Sequence, residues 1–380
     1  MANLKLEGVT KRFREVTAVD HLNFDVKNNE FFVLFGPAGA GKTTTLNIIA
    51  GIYTPDSGKF YMNDRLMNLV ESSERNIAMV FENYALYPNL TVYENMSSPL
   101  RSPKSHIKNE EKIRLEVTRV AEMLGIAELL ERRPAELSNG QRQRVALGRA
   151  LVRKPEVYLM DEPIAHLDAK LRHMMRAELK EMQQKLDATT VYVTHDYLEA
   201  LSLANRIAVL NRGQIIQIGT PDEIFYRPAT EFVAECFGEP AINIFNAELT
   251  SQNGDVHIKM LGRIIPTKVP GDIVGKLKVK DKKVRVGIRP NDVRYYLDSS
   301  GTETITGKVY SFEPLGAKAI LNVSFGDELL RIKAPVNTIV TPDQPIDVSI
   351  NMAQALFFDP EGSHFLARSE QLGEDHAWQN

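Results

Sequence analysis

At 380 residues the chain is too long for one compact core and implies two or three domains, a main one with an appendage. Its 43% hydrophobic and 25% charged residues are ordinary for a globular protein, and a formal net charge of -3 offers no electrostatic footprint for nucleic acid, which is excluded as an expected partner. No window approaches the roughly 18 consecutive apolar residues of a membrane span, so membrane association has to come through a partner.

In chain order, strand-like and helix-like runs alternate up to about residue 235: FFVLF, a helix from Thr43, NIAMVF, an amphipathic stretch from Glu110, VYLMD, TTVYVT and RIAVL. That alternation predicts an α/β fold with a mostly parallel sheet flanked by helices. Between about residues 85 and 153 the pattern turns helical, with Ile113, Val117, Val120, Leu124 and Ile126 on three-to-four spacing, which predicts a helical insert. After about residue 240 short strand candidates follow, KVRVGIRP, TITGKVYSF, AILNVSF and IDVSINM, separated by turn residues, and predict a small β-barrel or sandwich. Pro228, Gly238 and Pro240 in the joint place the boundary there, giving domains 1–235 and 236–380. The single cysteine, Cys236, cannot close an intramolecular disulfide, and the opening MANLKLEGVTKRF has no apolar signal segment, so a reducing cytoplasm is expected.

Gly36, Pro37, Ala38, Gly39, Ala40, Gly41, Lys42 and Thr43 fit G-x-x-x-x-G-K-[ST] between the run FFVLF and a helical segment. Strand, loop and helix stand in the order a phosphate loop needs. Backbone N–H groups would curl around phosphate oxygens, Lys42 would neutralise β/γ-phosphate charge, and the Thr43 hydroxyl would ligate Mg²⁺. ATP and Mg²⁺ are the expected cofactors. Downstream, VYLMDEP sets Asp161 and Glu162 at the end of an apolar strand. Alone, such a pair is as often a surface turn; beside a phosphate loop, Asp161 is expected in the Mg²⁺ shell and Glu162 on the attacking water.

With these pieces in place, LSNGQRQRVALGRAL, PAGAGKTTTL, MDEPIAHLDAKLR and YVTHDYLEA resemble the ATP-binding subunits of ABC transporters, within them the importer subunits of the maltose-type carbohydrate family. The match covers the first 235 residues with specific motifs; GIRPND, FEPLG and FFDPEG are similar, more weakly, to the regulatory β-domain of those subunits. The resemblance implies a P-loop ABC ATPase domain with a RecA-like core, then a small all-β OB-like (TOBE) domain. It implies two chains head to tail, identical or paralogous, each ATP lying between one chain's phosphate loop and the other's signature.

Carried over by motif, Phe13 would stack on adenine, Thr44 would join the phosphate loop, and His195 would contact the γ-phosphate in its own chain. Ser138, Asn139, Gly140 and Gln141 would meet the opposite nucleotide, Ser138 and Gly140 donating to its γ-phosphate, and Asp168 would complete the nucleotide contacts. Phe13 has a plainer reading as core. The implied partners are two transmembrane permease subunits and, indirectly, a solute-binding protein, with the chain peripheral on the cytoplasmic face of the inner membrane. ENYALYPNLTVYENM and the helical insert would form the docking groove, unless those aromatics are simply core.

Three positions depart from the family. Glu82 stands where a glutamine usually touches Mg²⁺, the attacking water and the membrane subunit; Asn139 replaces a signature glycine; Ala165, followed by His166, replaces a serine. A carboxylate at residue 82 is a good ligand for Mg²⁺ but loses the amide donor and adds charge near the triphosphate. Metal binding with altered coupling, a slow or inactive site, and a loop turned out to solvent all follow as outcomes. Asparagine tolerates left-handed backbone, so Asn139 is expected to be mild, and Ala165 removes an interface hydroxyl worth about 1 kcal/mol. The leading expectation is an ATPase that energises import of a carbohydrate, polyol or glycerol phosphate. The alternative is a catalytically muted subunit paired with a second ATPase in an asymmetric heterodimer.

Overall fold

The computed structural model describes residues 2–102, 109–165, 167–185, 189–252, 255–265, 283–297 and 304–368. Contacts divide the chain into two units, Met1–Pro221 and Asp222–Asn380.

The first unit is built on a six-stranded sheet in the order Gln214–Gly219, Arg206–Asn211, Phe31–Phe35, Thr189–Thr194, Val157–Asp161 and Ile77–Val80. All neighbours are parallel except the first pair. Phe31–Phe35, Val157–Asp161 and Thr189–Thr194 are buried at every residue, as continuous apolar runs are when both faces of a parallel sheet are covered. A second, antiparallel sheet of Val16–Val26, Leu4–Phe13, Ser57–Met62 and Arg65–Leu66 shares its core: Leu6, Phe24 and Phe60 pack in one cluster with Leu34, Ile48, Leu159 and Val193.

The helical insert contains Val92–Ser97, Glu110–Met123 and Asn139–Leu151. Thr91 and Glu94 start the first of these with a capping box, and Asn109 caps the second by accepting from the Glu111 and Lys112 N–H groups. Ile113, Val117, Val120, Leu124 and Ile126, the periodic residues of the sequence, are all buried.

The second unit holds two antiparallel sheets. One runs Arg263–Ile265, Asp255–Met260, Asn243–Gln252, Lys283–Ile288, Leu356–Phe358, Phe365–Arg368; the other runs Val293–Tyr296, Pro345–Ile350, Ile305–Leu315, Lys318–Phe325, Glu328–Ala334. Val286 and Phe357 from the first meet Leu321, Ile332 and Val348 from the second in a single apolar core. The division of contacts lies ahead of the joint chosen from sequence at 235/236. The short helix Glu231–Cys236 is tied to the β-sheets by the fork of Arg285 on Glu231 (2.7 and 2.9 Å), and Arg289 donates to the carbonyls of Phe225 and Phe237, each at 2.6 Å.

Candidate functional site

Strand Phe31–Phe35 leads into Gly36 and the chain curls into helix Lys42–Ala50. Gly41 is the helix N-cap at φ 99, where any Cβ would run into the Ala18 carbonyl, so only glycine fits. Ala40 N–H donates to Pro37 O at 3.2 Å and Gly213 N–H to Ala40 O at 3.0 Å, which pins the loop. The first turn of the helix carries no acidic residue, leaving its positive end uncompensated.

Lys42 is 6% exposed, and its ammonium donates to Gly36 O (2.8 Å) and Pro37 O (2.9 Å). Burial pushes its pKa down, while Glu162, Asp161 and Glu82 act against that shift. Thr43 Oγ1 donates to Asp161 Oδ1 at 3.2 Å. Asp161 is 2% exposed. Burial pushes its carboxyl up to about 6, opposed by the Thr43 hydrogen bond and reinforced by the charges of Glu82 and Glu162. A carboxylate in that position gains from any cation brought beside it.

Glu162 follows at a left-handed φ of 46, its N–H donating to Val193 O at 3.0 Å. That turn aims its carboxylate at His195, with Oε1 and Nδ1 2.9 Å apart. His195 itself is largely exposed. Beneath it lies Glu199, buried, accepting from Tyr192 OH (2.9 Å) and Thr194 Oγ1 (2.7 Å), with its pKa raised by burial. Asp196 caps helix Tyr197–Leu203 through the Leu198 and Glu199 N–H groups.

The folded chain therefore brings Lys42, Thr43, Asp161, Glu162 and His195 together at the carboxyl ends of three adjacent strands. Glu82 has an exposed side chain, yet its charge acts on both Lys42 and Asp161.

The other expected residues stand elsewhere. Phe13, 39% exposed at the end of its strand, packs edge-on against Tyr53 with ring centroids 5.1 Å apart, so the reading of Phe13 as core is not what the structure shows. Ser138 is the N-cap of helix Asn139–Leu151 in a capping box with Gln141: Gln141 N–H donates to Ser138 Oγ at 3.3 Å and Ser138 N–H to Gln141 Oε1 at 2.9 Å. The Ser138 hydroxyl keeps its own proton to donate. Asn139 lies in the first turn of this helix with no positive φ, so the tolerance of asparagine for left-handed backbone, expected to matter here, does not enter. The Asp168 carboxylate accepts the Leu171 N–H at 2.9 Å, as a helix cap would. His166 lies outside the described residues.

Sequence reasoning passed over three supporting residues. Gln143 donates to the Glu162 carbonyl at 3.1 Å, Glu199 anchors the strand end before His195, and Arg172 donates to the carbonyls of Ala165 (2.9 Å) and Leu167 (3.1 Å). The spacing S-x-x-Q at 138–141 was a readable capping box; Gln143 reaches Glu162 across separate elements, and the Glu199 and Arg172 contacts, five to seven residues apart, depend on how a strand end or loop turns into the next helix.

Residues 19–165 match the family model described as ABC transporter. The chain is 43% identical over 373 residues, 94% of its length and 98% of the relative's, to the trehalose/maltose import ATP-binding protein MalK of Thermococcus litoralis. It is 42% identical, over 83% of each chain, to the sn-glycerol-3-phosphate import ATP-binding protein UgpC of Chromobacterium violaceum, and 42% identical to the xylose/arabinose import ATP-binding protein XacK of Haloferax volcanii, over 86% of this chain and 85% of that one. A dimeric bacterial ABC transporter cassette, solved also in a post-hydrolysis state with ADP and Pi, is 31% identical with a TM-score of 0.54, covering 57% of this chain and 98% of that one.

Proposed function

The chain belongs to the ABC transporter family, and on that premise we propose that it energises an importer for a carbohydrate, polyol or glycerol-phosphate type solute through ATP-driven closure of a dimer. It is an ATP-binding and ATP-hydrolysing subunit. One observation carries the reading of the site: the pairs Thr43–Asp161 and Glu162–His195 meet beside Lys42 at the carboxyl ends of adjacent parallel strands, where open α/β sheets bind ligands.

In this reading the residues from Gly36 to Thr44 wrap the ATP phosphates, Lys42 lies along the β/γ-phosphates, and Phe13 offers a π-face to adenine. The residues fit a Mg²⁺ ion. Thr43 and Asp161 present hard oxygens, burial holds the Asp161 carboxyl up at about 6, and the charge of Glu82 adds to that. Among the described residues no cluster of three or more His, Cys, Asp or Glu side chains is arranged for a metal. Such an ion would neutralise charge on the phosphates. Glu162 orients the attacking water, and His195, held by Glu162, donates toward charge on the γ-phosphate. Ser138, Asn139, Gly140 and Gln141 present a helix start to the nucleotide of the second chain, and Asp168 stands at the same interface.

No described helix is long and apolar enough to cross a membrane, and relatives named as import ATP-binding proteins support membrane permease partners; two permease subunits, an indirect solute-binding protein and a place on the cytoplasmic face belong to the proposal. The asymmetric heterodimer finds no support among the relatives. Mg²⁺-dependent ATP hydrolysis of the purified chain, with and without permease subunits, tests the assignment. Glu162→Gln is expected to cost about 10²–10⁴-fold in kcat, whereas Glu82→Gln stays active. A parent without activity that gains it in Glu82→Gln would return the site to the muted class.

A further inference from the structure

The far end of helix Asn139–Leu151 grips the loop that follows Glu82. Arg149 donates from Nη1 to Ala85 O at 2.7 Å and from Nη2 to Tyr84 O at 3.1 Å, and its guanidinium stands 5.4 Å from the centroid of the Tyr87 ring. The two carbonyls belong to consecutive residues in left-handed backbone, φ 65 at Tyr84 and φ 44 at Ala85. Neither is glycine, so both side chains crowd the backbone in that conformation. Two parallel donors on two adjacent carbonyls are what a guanidinium fork supplies and an ammonium does not.

The rest of the loop is already anchored. Asn95, 0% exposed, accepts the Tyr87 N–H at 2.8 Å and donates to the carbonyls of Tyr87 (3.0 Å), Leu90 (3.1 Å) and Thr91 (3.0 Å). Between that anchor and Glu82 the left-handed pair makes short-range backbone bonds, Tyr84 N–H to Phe81 O at 2.9 Å and Ala85 N–H to Asn83 O at 2.8 Å, and Arg149 ties it to the helix. Its helix packs tightly on Val92–Ser97: a Cβ at Gly148 would stand 2.8 Å from Met96 Cε. The same helix touches the hydrolysis machinery through Gln143 and the Glu162 carbonyl, 3.1 Å apart, and begins at the Ser138 cap, about 16 Å from Arg149 along its axis.

We infer that Arg149 is a positioning residue that keeps the Glu82 loop in a conformation it would not hold alone and makes that conformation follow the signature helix. A nucleotide engaged at Ser138–Gly140 is thereby reported, within the same chain, to the loop proposed to face the permease. The inference rests on the functional reading above and adds the route by which one nucleotide site speaks to the coupling loop. Burial lowers the pKa of Arg149, in keeping with a guanidinium whose polar partners are these carbonyls and not bulk water.

The test is hydrogen exchange of the residue 83–87 amides in the full chain, carrying Glu162→Gln to retain nucleotide, with and without ATP and Mg²⁺. The parent is expected to gain protection in this loop when ATP binds. Arg149→Met and the charge-preserving Arg149→Lys are expected to exchange there about ten-fold faster or more, without response to ATP, while ATP affinity and protection of helix Asn139–Leu151 stay at the parent's level. Adding Ala85→Gly to Arg149→Met is expected to restore part of the protection, because glycine takes this backbone without a steric clash. ATP-dependent protection that survives in both Arg149 variants overturns the inference. A parent that binds no ATP would instead sink the functional reading, so the two failures are distinct.

Discussion

Strand Thr189–Thr194 in the first unit is buried at every residue, whereas strand Glu328–Ala334 in the second shows its apolar residues Leu330, Ile332 and Ala334 to the core and Arg331 and Lys333 to solvent. The same contrast extends to polar groups. Among the described residues the buried charged side chains, Glu30, Lys42, Arg75, Asp161 and Glu199, all lie in the first unit; the buried polar residues of the second are Asn243 and Asn322. Asn243 is spent on structure, donating to Ile288 O and Arg331 O at 3.2 and 2.9 Å and accepting the Arg331 N–H at 2.8 Å. A sheet covered on both faces leaves its strand ends as the place where charge can be held out of water, and the chemistry collects there. A sheet with one wet face keeps its charges solvated and serves as scaffold or recognition surface.

The widest break in that contrast comes from the phosphate loop. Lys42→Ala should lower kcat/KM for ATP by roughly 10²–10³ with the circular dichroism spectrum unchanged; a variant that still hydrolyses at the parental rate would mean that the buried charge is structural. Next in size is a cavity in the other unit. Phe357, fully buried in the β core, should cost about 3–5 kcal/mol of stability when changed to alanine, read by urea unfolding, while ATP hydrolysis under native conditions stays within about two-fold if distant sites act independently. A matching loss of hydrolysis would show that the two units are energetically one.

The smallest effect concerns Glu199. Burial raises its folded pKa above the usual 4.5, so the folded chain holds this proton more firmly than the unfolded one. Its favourable contribution is complete below the unfolded value and is lost as pH rises through the folded one. Glutamine accepts the same Tyr192 and Thr194 hydroxyls and carries no such proton. As pH rises from the unfolded toward the folded pKa, Glu199→Gln should therefore gain on the parent in unfolding free energy, read by urea unfolding across pH. A gap that does not change with pH would mean that Glu199 stays ionised in the fold.

Much of the candidate site was legible because its parts are local. A phosphate loop is a strand, a glycine turn and a helix start within a dozen or so residues, and Asp161, Glu162 and His195 each close an apolar run that can be read as a buried strand. The alternation of the second unit was legible for the same reason. Asn139 shows how local reading goes astray: the glycine it replaces suggests a backbone demand, but Ser138 and Gln141 cap a helix there and the residue needs no left-handed geometry. The departure at Glu82 was visible at once, and its meaning was not, because proximity to Lys42 and Asp161 depends on where separate strands end.

By itself the sequence determined the class of the first unit, the strand–loop–helix motif around residues 36–43 and the alternating core of the second, since hydrophobic period and short motifs act over one or two turns of chain. Tertiary structure alone decided that Glu162 turns to His195, that Glu199 lies beneath that pair, that the fork of Arg285 ties Glu231 to the β-sheets, and that Arg149 closes on Tyr84 and Ala85. Apart from the local bond of Thr194 to Glu199, each of these depends on a hydrogen bond between segments separated in sequence, and no residue announces such a partner by its own type.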